Sequence, residues 1–479
     1  MWQIMGLYVA TMTAICFIFL VHKRRNSRVN KMVLPPGSKG FPFIGETLQL
    51  LLPSYSLDLP SFIQTRIQRY GPIFQTRLVG RPVVVSADPG FNRYIVQQEG
   101  KMVEMWYLDT FSKIFAQQGE GRTNAAGLVH KYLRNITFTH FGSQTLRDKL
   151  LPHLEILVRK TLHGWTSQES IDVKEAALTM TIEFVAKQLF GYDSDKSKER
   201  IGDKFANISQ GLLSFPLNIP GTTYHSCLKS QREVMDMMRK TLKERLASPD
   251  TCQGDFLDHA LKDLNTDKFL TEDFILQIMF GLLFASSEST SITLTLVLKF
   301  LSENPHVLEE LEAEHERILK NRESPDSPLT WAEVKSMTFT LQVINESLRL
   351  GNVSLGLLRR TLKDIEINGY TIPAGWTIML VTSACQYNSD VYKDPLTFNP
   401  WRWKEMQPDV IAKNFMPFGG GTRQCAGAEF AKVLMTIFLH VLVTTYRWEK
   451  IKGGEIIRTP ILGFRNGLHV KLIKKARLS

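Results

Sequence analysis

PFGGGTRQCAGAEF, residues 417–430, sets one cysteine among glycines with an arginine two positions before it. A thiolate donates strongly to soft metals, and haem iron can be held by a single cysteine on one axial face. Glycines at 419, 420 and 421 let a backbone approach a flat macrocycle, and nearby amides can point at the sulfur and temper its charge. The fork of donors on Arg423 suits a haem propionate. An apolar helical pattern follows Gly427, which puts Cys425 just before a helix N-terminus, where the partial positive charge lowers a thiol pKa. Other readings stay open at this point. A buried cysteine is often only a small hydrophobe, and a glycine-rich loop before a helix can cradle phosphate. No Gly-Lys-Ser/Thr follows, which disfavours a P-loop, and a nucleophilic cysteine needs a histidine base that spacing does not place.

The five cysteines, Cys16, Cys227, Cys252, Cys385 and Cys425, are odd in number, far apart and free of any Cys-x-x-Cys pair. Neither a disulfide framework nor a structural zinc site is indicated. The chain has 479 residues, 43% of them hydrophobic and 22% charged, with no repeat and no linker-like tract. One large globular unit is the expectation. Lysine and arginine total 58 against 47 acids, a formal charge of +11. The basic residues are scattered, and no arginine-rich strip interleaved with aromatics marks a nucleic-acid surface. A membrane surface or an acidic partner fits that surplus better.

Residues 1–22, MWQIMGLYVATMTAICFIFLVH, carry no acid, lysine or arginine and are long enough to cross a bilayer as a helix. Lys23, Arg24, Arg25, Arg28 and Lys31 follow at once, so an uncleaved signal anchor with everything after it in the cytosol is expected. Residues 23–45 form a basic flank and a hinge stiffened by Pro35, Pro36 and Pro42, and 46–479 form the catalytic body. With that body cytosolic, the sequons at Asn135, Asn207 and Asn352 are expected to stay unglycosylated.

Within the body, short apolar runs from Ile73 to Ala87 read as a small sheet, and KDIEINGYTIPAGWTIMLV, residues 363–381, as a hairpin around Asn-Gly. Helical periodicity dominates elsewhere. It is nearly continuous from an N-cap at Thr271 to about Leu301, and Thr330 with Glu333 forms a capping-box pattern. The fold class is mainly α with a small β portion.

Phe418, Gly421, Arg423, Cys425 and Gly427 match Phe-x-x-Gly-x-Arg-x-Cys-x-Gly, and the chain resembles the cytochromes P-450, the haem-thiolate monooxygenases. The resemblance runs from the anchor to the last β segment. It implies haem b held by Cys425 between a long central helix and the helix after the cysteine loop. It also makes Glu346 and Arg349, three apart on one helix face, partners of Arg402 in FNPWRW, residues 398–403. Arg359, His130 and Arg134 fall where that family contacts haem propionates; His130 stands in place of the usual tryptophan. ASSEST, residues 285–290, stands where the family commonly has Ala-Gly-x-Asp/Glu-Thr-Thr, with Ser286 for glycine and Ser289 for threonine. Glu288, Ser289 and Thr290 are the expected proton-delivery residues.

By the same resemblance, NADPH supplies electrons through a membrane-bound reductase at the endoplasmic reticulum, and dioxygen supplies the inserted oxygen. LPPGSKGFPFIGET, WYLDTF and LNIPGTTYH look like the plant clan that oxidises sterols and triterpenes, most like the triterpenoid oxidases of family 87. The implied substrate is a pentacyclic β-amyrin-type scaffold hydroxylated near carbon 16, with a cucurbitadienol-like skeleton at carbon 11, or a sterol, as alternatives. Expected pocket segments are 105–123, 280–290, 350–357 and 461–467. Two readings of another class are a reductase-independent peroxide rearrangement and a membrane-anchored binding protein that performs no chemistry.

Overall fold

The computed structural model describes residues 32–107, 114–115 and 127–476, apart from 198, 213, 249–252, 265, 323, 325 and 326. The anchor and the basic flank up to residue 31 lie outside the described residues, as do parts of the 105–123 pocket segment.

Helices dominate. Those that position the site are α1 (Pro89–Gln97), α2 (Gly127–Phe141), α3 (Val173–Phe190), α4 (Glu272–Glu303), α5 (Pro305–Lys320), α6 (Thr338–Gly351) and α7 (Ala428–Thr445). The longest, α4, has 32 residues and so runs about 48 Å. The Thr271 hydroxyl caps it by accepting the Phe274 N–H at 3.1 Å, and Glu272 and Asp273 lie in its first turn, where acids suit the helix dipole. Pro305 at the start of α5 stops it. Both α4 and α7 are apolar enough to cross a membrane, but 61% and 67% of their most apolar windows are buried in the protein. They are core helices, and they pack on each other and on α6 in one continuous hydrophobic core.

The main sheet has five strands in the order Ile73–Leu78, Arg81–Ser86, Thr377–Leu380, Leu357–Thr361 and Val103–Met105. Val79 (φ 50°) and Gly80 (φ 72°) turn its first hairpin, and Asn368 (φ 51°) and Gly369 (φ 76°) turn the separate Ile365–Ile367/Tyr370–Ile372 hairpin. Two successive positive φ values match the twist of the flanking strands. The Leu357–Thr361 strand carries Arg359 into the interior, opposite Met105 on one side and Ile378 on the other.

The proline segment is pinned to the first strand of that sheet. Gln75 N–H donates to Pro36 O at 2.8 Å, Ser38 N–H to Gln75 O at 3.2 Å, and Glu46 N–H to Arg77 O at 2.7 Å. Chain leaving residue 32 therefore meets a fixed platform. The capping box at Thr330 is present, with Glu333 N–H donating to its hydroxyl at 3.2 Å. Asn352 is buried in the left-handed cap of α6 and donates to Arg349 O at 2.7 Å, so its sequon is closed to modification by packing alone.

Candidate active site

The cysteine loop folds back on itself: Cys425 N–H donates to Phe418 O at 2.9 Å and Gln424 N–H to Gly421 O at 3.2 Å. Gly421 has φ 64°, and a Cβ there would lie 2.4 Å from the carbonyl oxygen of Val96 on α1. Close approach to a helix thus constrains this glycine in addition to the macrocycle approach expected of the whole run. Gly427 caps α7, and its amide donates to the Cys425 sulfur. That amide and Arg134 favour the thiolate, as the helix-terminus argument requires. Burial nevertheless outweighs them and pushes the thiol up, reversing the expected direction. Cys425 keeps one solvent-accessible side while its surroundings are dense, the posture of a ligand aimed at an incoming group.

Cations surround this loop. On α2, Arg134 donates to Gln424 O at 2.6 Å. His130, one turn earlier, is held below the usual imidazole range by burial and then by the positive charges of Arg423 and Arg134. Arg423 Nε donates to Glu99 Oε1 at 3.0 Å, and Arg359 Nε lies 2.8 Å from Glu99 Oε2, at an angle that makes no hydrogen bond. Two guanidiniums thus share one carboxylate beside an accessible thiol, and a third, Arg134, holds the loop from α2. A macrocycle bearing two propionates fits that charge balance, and one bound through sulfur fits the donor set.

On α4, Ala285 and Ser289 lie four residues apart on one exposed stripe of a mostly buried helix, while Thr290 is buried. Ser286 spends its hydroxyl on the carbonyl of Leu283 at 2.9 Å, and Ser287 bonds Phe284 O at 3.0 Å. Such back-bonding competes with the regular ladder and bends helices. Glu288 Oε1 pairs with Lys174 Nζ of α3 at 2.7 Å, and its buried Oε2 finds no hydrogen-bond partner among the described residues.

The structure joins Glu346, Arg349 and Arg402. Arg349 forks onto Glu346 at 2.9 and 2.8 Å, and Arg402 Nε donates to Glu346 Oε1 at 2.9 Å. Arg349 also donates to the carbonyls of Gln386 (2.8 Å) and Pro395 (2.7 Å), and Arg402 to that of Lys393 (2.8 Å). These bonds clamp residues 386–402, which lead into the cysteine loop, onto α6. Burying three charges is costly, so geometry rather than net stability is the gain.

A model of the cytochrome P-450 family matches residues 35–473. The chain belongs to that family. It is 52% identical over 475 residues to a β-amyrin 16-α-hydroxylase of Maesa lanceolata, covering 99% of this chain and 100% of that one. It is 53% identical over 475 residues to a cucurbitadienol 11-hydroxylase of Siraitia grosvenorii, with the same coverage. Among solved structures, a cyanobacterial cytochrome P-450 with retinoic acid bound superposes with a TM-score of 0.79 at 26% identity, covering 93% of this chain and all of that one. This P-450 is accordingly a monooxygenase whose cofactor is haem on a thiolate, with NADPH as the electron source.

Four residues of the P-450 site escaped the sequence. Trp403 donates its indole N–H to Glu346 Oε2 at 3.0 Å, and Tyr392 lies under Arg349 with its ring centre 4.9 Å from the guanidinium carbon. Trp403 stood beside Arg402 in the quoted FNPWRW segment, so adjacency was an available signal. Glu99 and Lys174 had none. Phe115, Phe280 and Phe284 form an edge-to-face cluster, with Phe115 5.4 Å from Phe280 and 5.1 Å from Phe284. It joins two of the expected pocket segments.

Proposed function

We propose that this P-450 hydroxylates a triterpene, a β-amyrin-type scaffold near carbon 16, with a cucurbitadienol-type skeleton at carbon 11 as the second reading. The observation that carries the substrate class is that two relatives of about equal identity, each matched over 99% of this chain, are named for triterpene hydroxylation. Their identities, 52% and 53%, do not separate the two skeletons, which is why both are put to test.

When bound, the haem supplies oxygen activation with electrons that a reductase passes from NADPH. Cys425 holds the iron, and the Gly427 amide tempers the sulfur's charge. Arg359, Arg423, Arg134 and His130 take the propionates, with Phe418 and Gly427 shaping the loop. Glu288, its carboxylate paired to Lys174 through one oxygen, relays protons through the other, and Ser289 and Thr290 hold water beside it. The phenylalanine cluster presents a rigid apolar wall against which a polycycle is oriented.

Membrane attachment follows from residues 1–22 and the lysines and arginines after them, and the catalytic body is placed on the cytosolic side of the endoplasmic reticulum as a single-pass protein. Exposed Phe41, Phe43, Leu48 and Leu52 beside the proline platform support contact with lipid. The basic surplus suits an acidic reductase domain.

The deciding experiment expresses the full chain in microsomes with a plant reductase, feeds β-amyrin and cucurbitadienol separately, and reads products by NMR. A 16-hydroxylated β-amyrin supports the first reading and an 11-hydroxylated cucurbitadienol the second. Turnover of neither, or turnover without NADPH, contradicts the proposal.

A further inference from the structure

We infer that Glu99 is the positioning carboxylate of the haem site, the single charge that fixes two arginines against the porphyrin edge and sets how readily the iron accepts an electron. The inference rests on the cysteine and propionate assignments proposed above.

Glu99 lies two residues beyond the end of α1 and is tethered there by the Met105 N–H, which donates to its Oε1 at 3.0 Å. The same oxygen accepts from Arg423 Nε at 3.0 Å, and the other stands 2.8 Å from Arg359 Nε. Side-chain exposure of all three is 8% or less. Arg359 comes from the centre of the main sheet and Arg423 from the cysteine loop, so one carboxylate ties the scaffold to the loop that carries the iron ligand.

Burial works against the charge on Arg359, and Glu99 heads the influences that oppose it. A neutral residue at 99 would therefore leave the two buried guanidiniums to the propionates for counter-charge, and loop and sheet would lose their common tie. It would also remove a negative charge from a poorly solvated region near the iron, where electrostatic effects are strongly felt. The ferrous state carries one positive charge fewer than the ferric, so that removal favours reduction.

Glu99→Gln keeps the shape and discards the charge. Glu104→Gln is the matched control, because Glu104 pairs with Arg360, the next residue on the same strand, at a site where Arg360 is 45% exposed. Both variants and the unmodified chain are taken as full-length, haem-loaded protein. The ferric/ferrous midpoint is measured by spectroelectrochemistry, and haem loss by transfer to apomyoglobin. Glu99→Gln is expected to move the midpoint to more positive potential and to speed haem transfer several-fold, while Glu104→Gln matches the unmodified chain in both. A residue that merely supports packing would leave the midpoint of the haem-loaded fraction in place, and that result overturns the inference. If Glu99→Gln yields too little loaded protein, Glu99→Asp decides, because it draws the charge back from both arginines: a midpoint moved to more positive potential together with faster transfer supports the assignment, and an unchanged midpoint overturns it. Absence of any haem band in the unmodified chain would instead refute the haem-site assignment.

Discussion

Lys174 Nζ lies 2.7 Å from Glu288 Oε1 and so joins the first turn of α3 to the middle of the long helix. Side-chain exposures are 28% and 22%, and a pair that wet contributes at most about 1 kcal/mol to stability. Its consequence is placement: the ammonium fixes one oxygen of the carboxylate and leaves the other buried with no hydrogen-bond partner among the described residues.

Glu288→Gln is accordingly expected to lower kcat by about 100-fold, the low end for loss of a positioned acid–base group, with substrate-induced spectral shifts unchanged. Lys174→Met should lower product formed per NADPH consumed about two- to tenfold, by the same reasoning applied to a group one contact removed. Its melting temperature should move by no more than ~2 °C. Product and NADPH measured in the same reaction check both, and full coupling in Lys174→Met contradicts the role given to the pair.

Glu346 receives bonds from Arg349, Arg402, Trp403 and the Asn399 amide, with no solvent exposure. Glu346→Ala leaves two buried guanidiniums unpaired, a loss of about 3–5 kcal/mol. Soret absorbance per unit protein should fall to near zero. Arg349→Lys keeps the charge but cannot reproduce the four bonds of the fork, and should fail nearly as badly. Normal haem content in either variant would count against the clamp.

His315 and His440 face each other across α5 and α7, their Nδ1 atoms 3.0 Å apart, both fully buried. Burial pushes His440 down to about 3, helped by Arg322 and Arg159, and holds His315 well below the usual range, helped by His440. Both stay neutral when folded and take up protons near pH 6.5 when unfolded. The unfolded state binds more protons below that value, so stability is complete above pH 6.5 and is lost as pH falls toward about 3. At pH 5 His440 alone removes about 2 kcal/mol relative to pH 8, and His315 acts in the same direction. Urea midpoints at the two pH values should show the fall, and His440→Leu should shrink it. An undiminished fall in that variant contradicts the assignment.

Phe284 meets Phe115 edge to face and is only half-buried, one residue before Ala285 on the exposed stripe of α4. Phe284→Ala should weaken triterpene binding about tenfold, equivalent to ~1.4 kcal/mol, and broaden the set of carbons hydroxylated. Spectral titration and product NMR read both. A single unchanged product at unchanged affinity would remove the cluster from the substrate wall.

Legibility in the sequence followed chemical constraint. Cys425, Arg423 and Gly427 were readable because a metal-binding loop needs fixed residue types at fixed spacing, and the Glu346–Arg349 pair because three residues apart is one helix face. The 32-residue helix announced itself through Thr271 and an unbroken apolar run. Two of the residues that hold the site in place did not. Glu99 reaches Arg359 and Arg423 across about 260 and 324 positions of chain, and nothing local distinguishes it from a surface acid. Lys174 is one of 58 lysines and arginines until α3 packs on α4. Gly421 was read as one of three glycines that let the backbone approach a macrocycle, and the carbonyl of Val96, which leaves no room for a side chain there, is a constraint that only the packing of α1 on the loop displays.

The central claim is that the sulfur of residue 425 binds haem iron. The reduced, carbon monoxide-treated full-length chain should display the strongly red-shifted Soret band diagnostic of thiolate ligation, and Cys425→Ala should abolish it. Persistence of that band in Cys425→Ala, or its absence from the unmodified haem-loaded protein, would contradict the account.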